Sequence, residues 1–468
     1  MKVIPYLVAT ACLYLLTACG GGSNISSPPP PVVPTPSITA LSPNSSKEEG
    51  QAFTLSVVGA NFDSTSTVQW NGNNQPTTFV NASLITAAVP ASEVATPGPD
   101  AVTVANQGSV STSFPFTVPC AIPAPSAAFN QTHARLGAYY FDGWSGPLTN
   151  SHFNGLPLGP FQDRQPLSGW QDNSDCPVEQ QLATAHNFGI DFFVFDWYFN
   201  TAVNDPGEDL NSALKITHNL SDRHGMQYAI LYVDSPPFVA QPADWAATVN
   251  EWVGYMVDPA YVKVNGKPLL MVIDMEQMRQ AFGSSSGVTG ALGQLRTAAM
   301  AQGLSGVYVV GGFFAGHDHN TQSGNFPDLS TAVADGYDAV SFYNYSFGTV
   351  SGGQPFSVLS EAGQWIWSQA AAKSPLPFIP AAMDGWDPRP WAEGNVFFSR
   401  SPQEVAAFVS DEIAWANSNP QLRPEPSPTP PIVLVEAWNE FGEGSHLIPT
   451  VGEGTSYGDA LAALLEGP

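Results

Sequence analysis

Two glutamates three positions apart, Glu440 and Glu443, are the strongest chemical signal in the chain. They follow the apolar run Ile432–Ala437 in the stretch Trp438-Asn439-Glu440-Phe441-Gly442-Glu443-Gly444, so a strand delivers them onto a tight, glycine-containing loop. Two carboxyl groups pointing into one cleft meet the needs of glycosyl transfer: an acid for the departing oxygen and a carboxylate to act as base or nucleophile. Their proximity raises one pKa and keeps that carboxyl protonated near neutral pH.

Other carboxylates, amides and aromatic rings recur where strand-like runs end. Tyr140, Asp142 and Trp144 follow the first such run, and Asp196, Trp197 and Tyr198 end the second. Asp234 and Asp274 follow the third and fourth, Tyr343 and Asn344 the sixth, and Trp386 the seventh; Trp438 and Asn439 precede Glu440. Rings can stack on the apolar faces of pyranoses while Asp, Asn and Glu bind hydroxyls, so these residues are candidate substrate contacts around the catalytic pair. Taken singly, such a Trp or Tyr can equally be core packing, and such an Asp a helix N-cap. His317 and His319 flank Asp318, but alternate spacing in a loop is poor ground for a metal site, and no CxxC or Cys/His cluster occurs. No metal and no cofactor are expected.

The elements that must position these residues alternate strand and helix. Strands are predicted at 136–140, 190–196, 227–233, 268–274, 307–311, 339–343, 378–383 and 432–437, with helices at 178–187, 243–256, 291–301 and 402–416 among the connections. Eight strands across residues 134–468 predict an α/β fold, a (β/α)8 TIM barrel whose chemistry sits on the loops after the strands. An open doubly wound sheet is the competing fold, and the absence of a GxGxxG or Walker loop after the first strand weighs against it.

The rest of the chain reads as accessories. Its 468 residues exceed one ordinary domain, and 43% hydrophobic content is enough for a real core. After Lys2, an apolar run from Val3 to Leu16 is too short to span a membrane and ends in Leu16-Thr17-Ala18-Cys19-Gly20. That ending resembles the lipobox of bacterial lipoproteins, which implies a signal peptide at 1–18, acylation of Cys19 and a lipid-anchored place in the bacterial cell envelope. Residues 19–36 form a Gly/Ser/Pro-rich linker. Between 37 and 118 short strand-like runs and the turn pair Asn71-Gly72 predict a small β-sandwich with no helical pattern. Residues 119–133 are an interdomain linker. Of four cysteines, Cys120 and Cys176 remain after the leader and the lipid site, and export favours a disulfide between them. A net charge of −26 with only 14 Lys plus Arg disfavours nucleic acid as a partner; it suits a neutral or cationic ligand or, more simply, keeps an exported protein soluble.

Two resemblances follow from particular residues. Ile38-Thr39-Ala40-Leu41-Ser42-Pro43, Val58-Gly59-Ala60-Asn61-Phe62 and Val68-Gln69-Trp70-Asn71-Gly72 make the sandwich similar to the IPT/TIG immunoglobulin-like domain, which implies a spacer or an accessory binding module. Tyr139-Tyr140, Arg164-Gln165-Pro166-Leu167-Ser168-Gly169-Trp170, Phe188-Gly189-Ile190-Asp191-Phe192-Phe193 and the Ala437–Gly444 stretch make the barrel resemble the glycoside hydrolase family 99-like group, which includes endo-α-mannosidases and WbsX-type relatives. That resemblance implies retention through an anhydro-sugar intermediate. It makes Glu440 the base that deprotonates the sugar 2-hydroxyl and Glu443 the acid. Gly442 stands where endomannosidases have His and Phe441 where the family usually has Trp, so the resemblance implies the acid/base pair without fixing mannan as the substrate; Asp234-Ser235-Pro236-Pro237 stands where many relatives are Asn-rich. The expected function is hydrolysis of a polysaccharide or oligosaccharide outside the cytoplasm. A sugar transferase of surface-polysaccharide assembly and a non-catalytic glycan-binding lipoprotein are the alternatives.

Overall fold

The computed structural model describes residues 34–45, 52–95, 97–118, 120–125, 134–145, 150–156, 159–199 and 209–466. The expected signal peptide, Cys19 and most of the 19–36 linker lie outside the described residues. Two units divide after Val118.

In the first unit, hydrophobic residues at every second position build two sheets. One pairs Ser37–Ser42, Phe53–Ala60, Leu84–Val89 and Thr77–Asn81 in that order; the other centres on Gly98–Asn106, flanked by Thr67–Trp70 and Phe114–Val118. Leu55, Val57, Ile85, Val68, Trp70, Val102, Val104 and Phe116 are buried between them, with the Trp70 and Phe116 rings 4.8 Å apart. Asn71 and Gly72 take the left-handed conformations, φ 47° and 84°, that a two-residue hairpin turn requires.

The second unit is a parallel barrel. Its strands are β1 (Arg135–Tyr140), β2 (Phe192–Trp197), β3 (Gln227–Tyr232), β4 (Lys267–Val272), β5 (Tyr308–Gly312), β6 (Ala339–Ser341), β7 (Ala381–Met383) and β8 (Ile432–Glu436). Each pairs in parallel with the next from β1 to β6, β7 pairs with β8, and β8 returns to β1. The circle closes where Val340 bridges Phe378, its N–H donating to Pro377 O at 2.9 Å and its carbonyl accepting from Ile379 N at 3.0 Å. All eight predicted strands are therefore present, with β6 and β7 shorter than expected because their chain ends turn into loops.

Helices α1 (Asp175–Asn187), α2 (Ser212–Asn219), α3 (Trp245–Met256), α4 (Met275–Phe282), α5 (Ser285–Ala301), α6 (Ser330–Asp335), α7 (Phe356–Lys373), α8 (Pro402–Ser418) and α9 (Ser456–Glu466) fill the connections. Strands buried on both faces read as continuous apolar runs. Alternation then decides which residues enter the barrel. Gly137, Tyr139, Phe192, Leu434 and Glu436 point inward, and a Cβ on Gly137 would meet Phe192 at 2.3 Å and Leu434 at 2.8 Å. Tyr140, Phe193, Phe195 and Trp197 point outward; Tyr140 lies 4.7 Å from Phe195 and Trp197 5.1 Å from Trp252 of α3.

A disulfide joins Cys120 to Cys176 at the start of α1. Gln180 donates to Ala121 O at 3.2 Å and Asn187 to Ala124 O at 2.8 Å, so residues 120–125 lie along α1. Cross-linking restricts the unfolded chain and typically contributes about 2–4 kcal/mol. Replacing both cysteines by serine should lower the melting temperature of the barrel by a few degrees and make it indifferent to reductant; unchanged melting would show that the cross-link contributes nothing.

Candidate active site

The turn after β8 is a miniature ribbon. Asn439 and Glu440 pair antiparallel with His446 and Ser445, and Phe441–Gly444 make the bend. Its short side follows from two close approaches. A Cβ on Gly442 would lie 2.0 Å from the Trp391 indole, and one on Gly444, where φ is 75°, would lie 2.8 Å from the Asp387 Cβ. Neither position has room for a side chain.

Polar contacts hold the ribbon from several loops. The Asn439 amide donates to Phe141 O at 2.8 Å and accepts from Phe141 N at 2.9 Å. The Trp144 indole donates to Asn439 O at 2.8 Å and its ring lies 5.0 Å from Phe441. Arg164 donates to Phe441 O at 2.7 Å and pairs with Asp387, whose N–H donates to Glu443 O. Arg400 donates to His446 O at 3.1 Å and reaches Asp384 at 3.2 Å and Glu453 at 2.8 Å. Burial would raise the Glu453 carboxyl, but His446 and Arg400 pull it down to about 2.

Within this frame Glu440 is buried and accepts a 2.8 Å hydrogen bond from the Tyr343 hydroxyl, which also reaches Asp196 at 3.2 Å. Burial pushes Glu440 up to about 7, against the Tyr343 hydrogen bond and the nearby His152, which favour the anion. Glu443 is half-buried. Its carboxyl goes well above the usual range through burial and the charges of Glu440 and Glu393, while a side-chain hydrogen bond with Asn344 opposes the rise. Asp196 is also raised, by burial and then by Glu440. The site can thus hold one glutamate that ionises near neutrality beside one that keeps its proton, which is the division acid–base chemistry needs.

Of the sequence candidates, Glu440, Glu443, Asp196, Tyr343 and Asn344 come together here. Tyr198 joins them; its hydroxyl is raised by burial and then by Asp196, Glu440 and Glu443. Trp144 and Asn439 brace the ribbon from behind. Tyr140, Trp197 and Trp438 instead face the helices: Trp197 donates to Glu251 at 3.2 Å and Trp438 to Gln181 at 3.0 Å. Asp142 caps the backbone of α2, accepting from Ala213 N at 2.5 Å. Asp234 accepts from Asp274 N at 3.1 Å, and Asp274 is the N-cap of α4, accepting from Glu276 N at 2.8 Å. Trp386 stands in a neighbouring cavity with Asn344.

The sequence reading missed two inward residues. Glu436 sits on β8 with no exposed surface, accepts from Ser445 at 3.1 Å, and is raised by burial, then by Glu443 and Asp384. Tyr139 packs 4.6 Å from Tyr343. A glutamate ending the apolar run Ile432-Val433-Leu434-Val435 was the available signal for the first. His317 and His319 both meet Glu361 of α7. Among the described residues no group of three or more His, Cys, Asp or Glu is arranged to hold a metal ion, and no helix is long and apolar enough to cross a membrane.

Residues 237–461 match the family model described as glycosyltransferase WbsX, and residues 36–118 match the IPT/TIG domain. The chain thus carries a WbsX glycosyltransferase-like region within the barrel and a TIG domain before it. No curated protein matches the chain in sequence. Among solved structures, the chain is similar to a family 99 endo-α-mannosidase of Bacteroides thetaiotaomicron, at 15% identity and a TM-score of 0.43 over 68% of this chain and 87% of that one. It is also similar to a family 5 xyloglucanase of Bacteroides ovatus, at 10% identity and 0.35 over 91% and 100%. The sandwich is similar to the TIG domain of human nuclear factor of activated T-cells, cytoplasmic 4, at 23% identity and 0.16 over 21% and 93%.

The Tyr343 hydroxyl stabilises the Glu440 anion, so its removal has a definite sign. In Tyr343→Phe the Glu440 ionisation should move upward from about 7, followed through the ¹³C shift of the carboxyl. A midpoint that stays in place would rule out that hydrogen bond.

Proposed function

We propose that the protein is a glycoside hydrolase that cleaves a polysaccharide or oligosaccharide outside the cytoplasm with retention, using Glu440 and Glu443. The observation that carries the reading is the pair itself: two glutamates on one braced turn at the barrel mouth, one ionising at about 7 and one held well above its usual range. Glu440, hydrogen-bonded by Tyr343, takes the proton of the sugar 2-hydroxyl. The freed oxygen attacks the anomeric carbon, the bond to the leaving oxygen breaks, and Glu443 protonates that oxygen. Water then opens the anhydro ring with Glu443 accepting its proton, and Glu440 returns a proton to O2. Each glutamate ends as it began.

The name of the matched family model favours a second reading, transfer of the sugar to another sugar hydroxyl in place of water. Both readings use the same pair, and the products distinguish them. Incubating the full chain with a panel of polysaccharides should release shorter reducing sugars; elongated products alone would favour transfer. Glu440→Gln and Glu443→Gln should each lower turnover by ~10²–10⁴-fold with melting unchanged. Near-normal turnover in either variant would overturn the assignment.

Location belongs to the same proposal. The Leu16–Gly20 stretch supports export and acylation at Cys19. Metabolic labelling with a fatty acid should mark the wild-type chain and not Cys19→Ala; equal labelling of both would end the lipid-anchor reading.

A further inference from the structure

The two glutamates face different surroundings. Glu440 turns to Tyr343 and Asp196 in the barrel mouth. Glu443 lies on the other side, its carbonyl accepting from the N–H of Asp387, the residue after Trp386; Trp386, Asn344 and Glu393 line a cavity of about 430 Å³ among the loops after β5, β6 and β7. That volume falls within the roughly 300–1,000 Å³ typical of small-molecule pockets.

Its walls are aromatic and uncharged apart from Glu393. Trp386 packs 6.4 Å from Phe347, which rests 4.6 Å from Phe398, so the indole is backed by two further rings in tilted contact. The Trp386 carbonyl accepts from Phe398 N at 3.0 Å, which fixes its backbone too. Phe314, on the same cavity, leaves 51% of its surface exposed. Asn344 and Ser346 add hydrogen-bonding groups, and no lysine or arginine is among the described lining residues. Aromatic faces beside a few amides and hydroxyls suit a neutral pyranose, which has an apolar face and a rim of hydroxyls. Glu393 and the net charge of −26 oppose an acidic sugar.

We propose that this cavity binds the neutral sugar on the leaving side of the scissile bond, with Trp386 and Phe314 as its apolar platforms. The side follows from position and rests on the hydrolase reading above: the group beside the proton donor is the one that departs. The same cavity would receive an acceptor sugar in the reverse sense.

Saturation-transfer NMR on the full chain tests the cavity, with mannobiose, maltose, cellobiose and xylobiose as probes and digalacturonic acid as the anionic control. At least one neutral disaccharide should bind, and Trp386→Ala and Phe314→Ala should each weaken it about tenfold. Phe79→Ala, which removes an exposed ring from the sandwich, should leave it unchanged. No binding by any neutral probe, binding indifferent to both cavity variants, or equal binding of digalacturonic acid would overturn the proposal. Turnover tests the side. With an oligosaccharide that the wild type cleaves, Trp386→Ala should raise KM, whereas the glycosyl fluoride of the same cleaved sugar should be hydrolysed as before, because fluoride brings no sugar to the cavity. Equal loss on both would overturn the leaving-side assignment. Disaccharide binding at this cavity in a chain that cleaves nothing would confirm the sugar site and remove the hydrolase reading.

Discussion

Four carboxyl groups, Asp196, Glu436, Glu440 and Glu443, crowd one barrel mouth, each raised first by burial. Like charges in a medium of low polarity cannot all ionise, so protons must remain in the cluster. The Tyr343 hydroxyl and the Asn344 amide decide where the negative charge settles best. The chain's arginines are not spent on neutralising this charge. Arg164, Arg389 and Arg400 lie behind the ribbon, engaged by Asp387, Asp384 and Glu453. Acidity inside and cations outside the turn are two halves of one arrangement: burial keeps the glutamates raised, and the guanidinium groups are engaged by other carboxylates.

Those arginines serve geometry. Arg164 fixes the carbonyl of Phe441 and Arg400 that of His446, so the bend and the returning arm of the ribbon are tied to loops before α1 and after β7. Asn439 ties the same ribbon to the end of β1. Trp391 closes against Gly442 and donates to His152 O at 2.7 Å. A glycine at 442 and a tryptophan at 391 are thus one choice, since either a side chain at 442 or the indole can fill that space.

The barrel was legible because β-strands buried on both faces leave long apolar runs that helical segments separate. The same property hid half of the site. With both faces apolar, the sequence does not reveal which alternate residues enter the barrel: Tyr139, not Tyr140, faces inward, and Trp197 and Trp438 pack on helices although each stands at a strand end. Glu436 escaped notice because it belongs to the strand, not to the loop after it. Glu440, Glu443, Asp196 and Tyr343 were legible because polar groups ending apolar runs have few other uses. Asp142 and Asp274 show the exception, as each satisfies backbone N–H groups at a helix start. The Arg164 contact to the ribbon joins residues more than two hundred positions apart and leaves no local trace.

The covalent tie between Cys120 and Cys176 has a mechanical side. Any tension arriving along the chain from the sandwich meets the cross-link before it reaches β1. The load passes into the first turn of α1, where Cys176 sits, and the helix carries it along its length through the Ala121 and Ala124 contacts. Strand β1, whose far end anchors Asn439 and with it the glutamate ribbon, is left outside the line of pull.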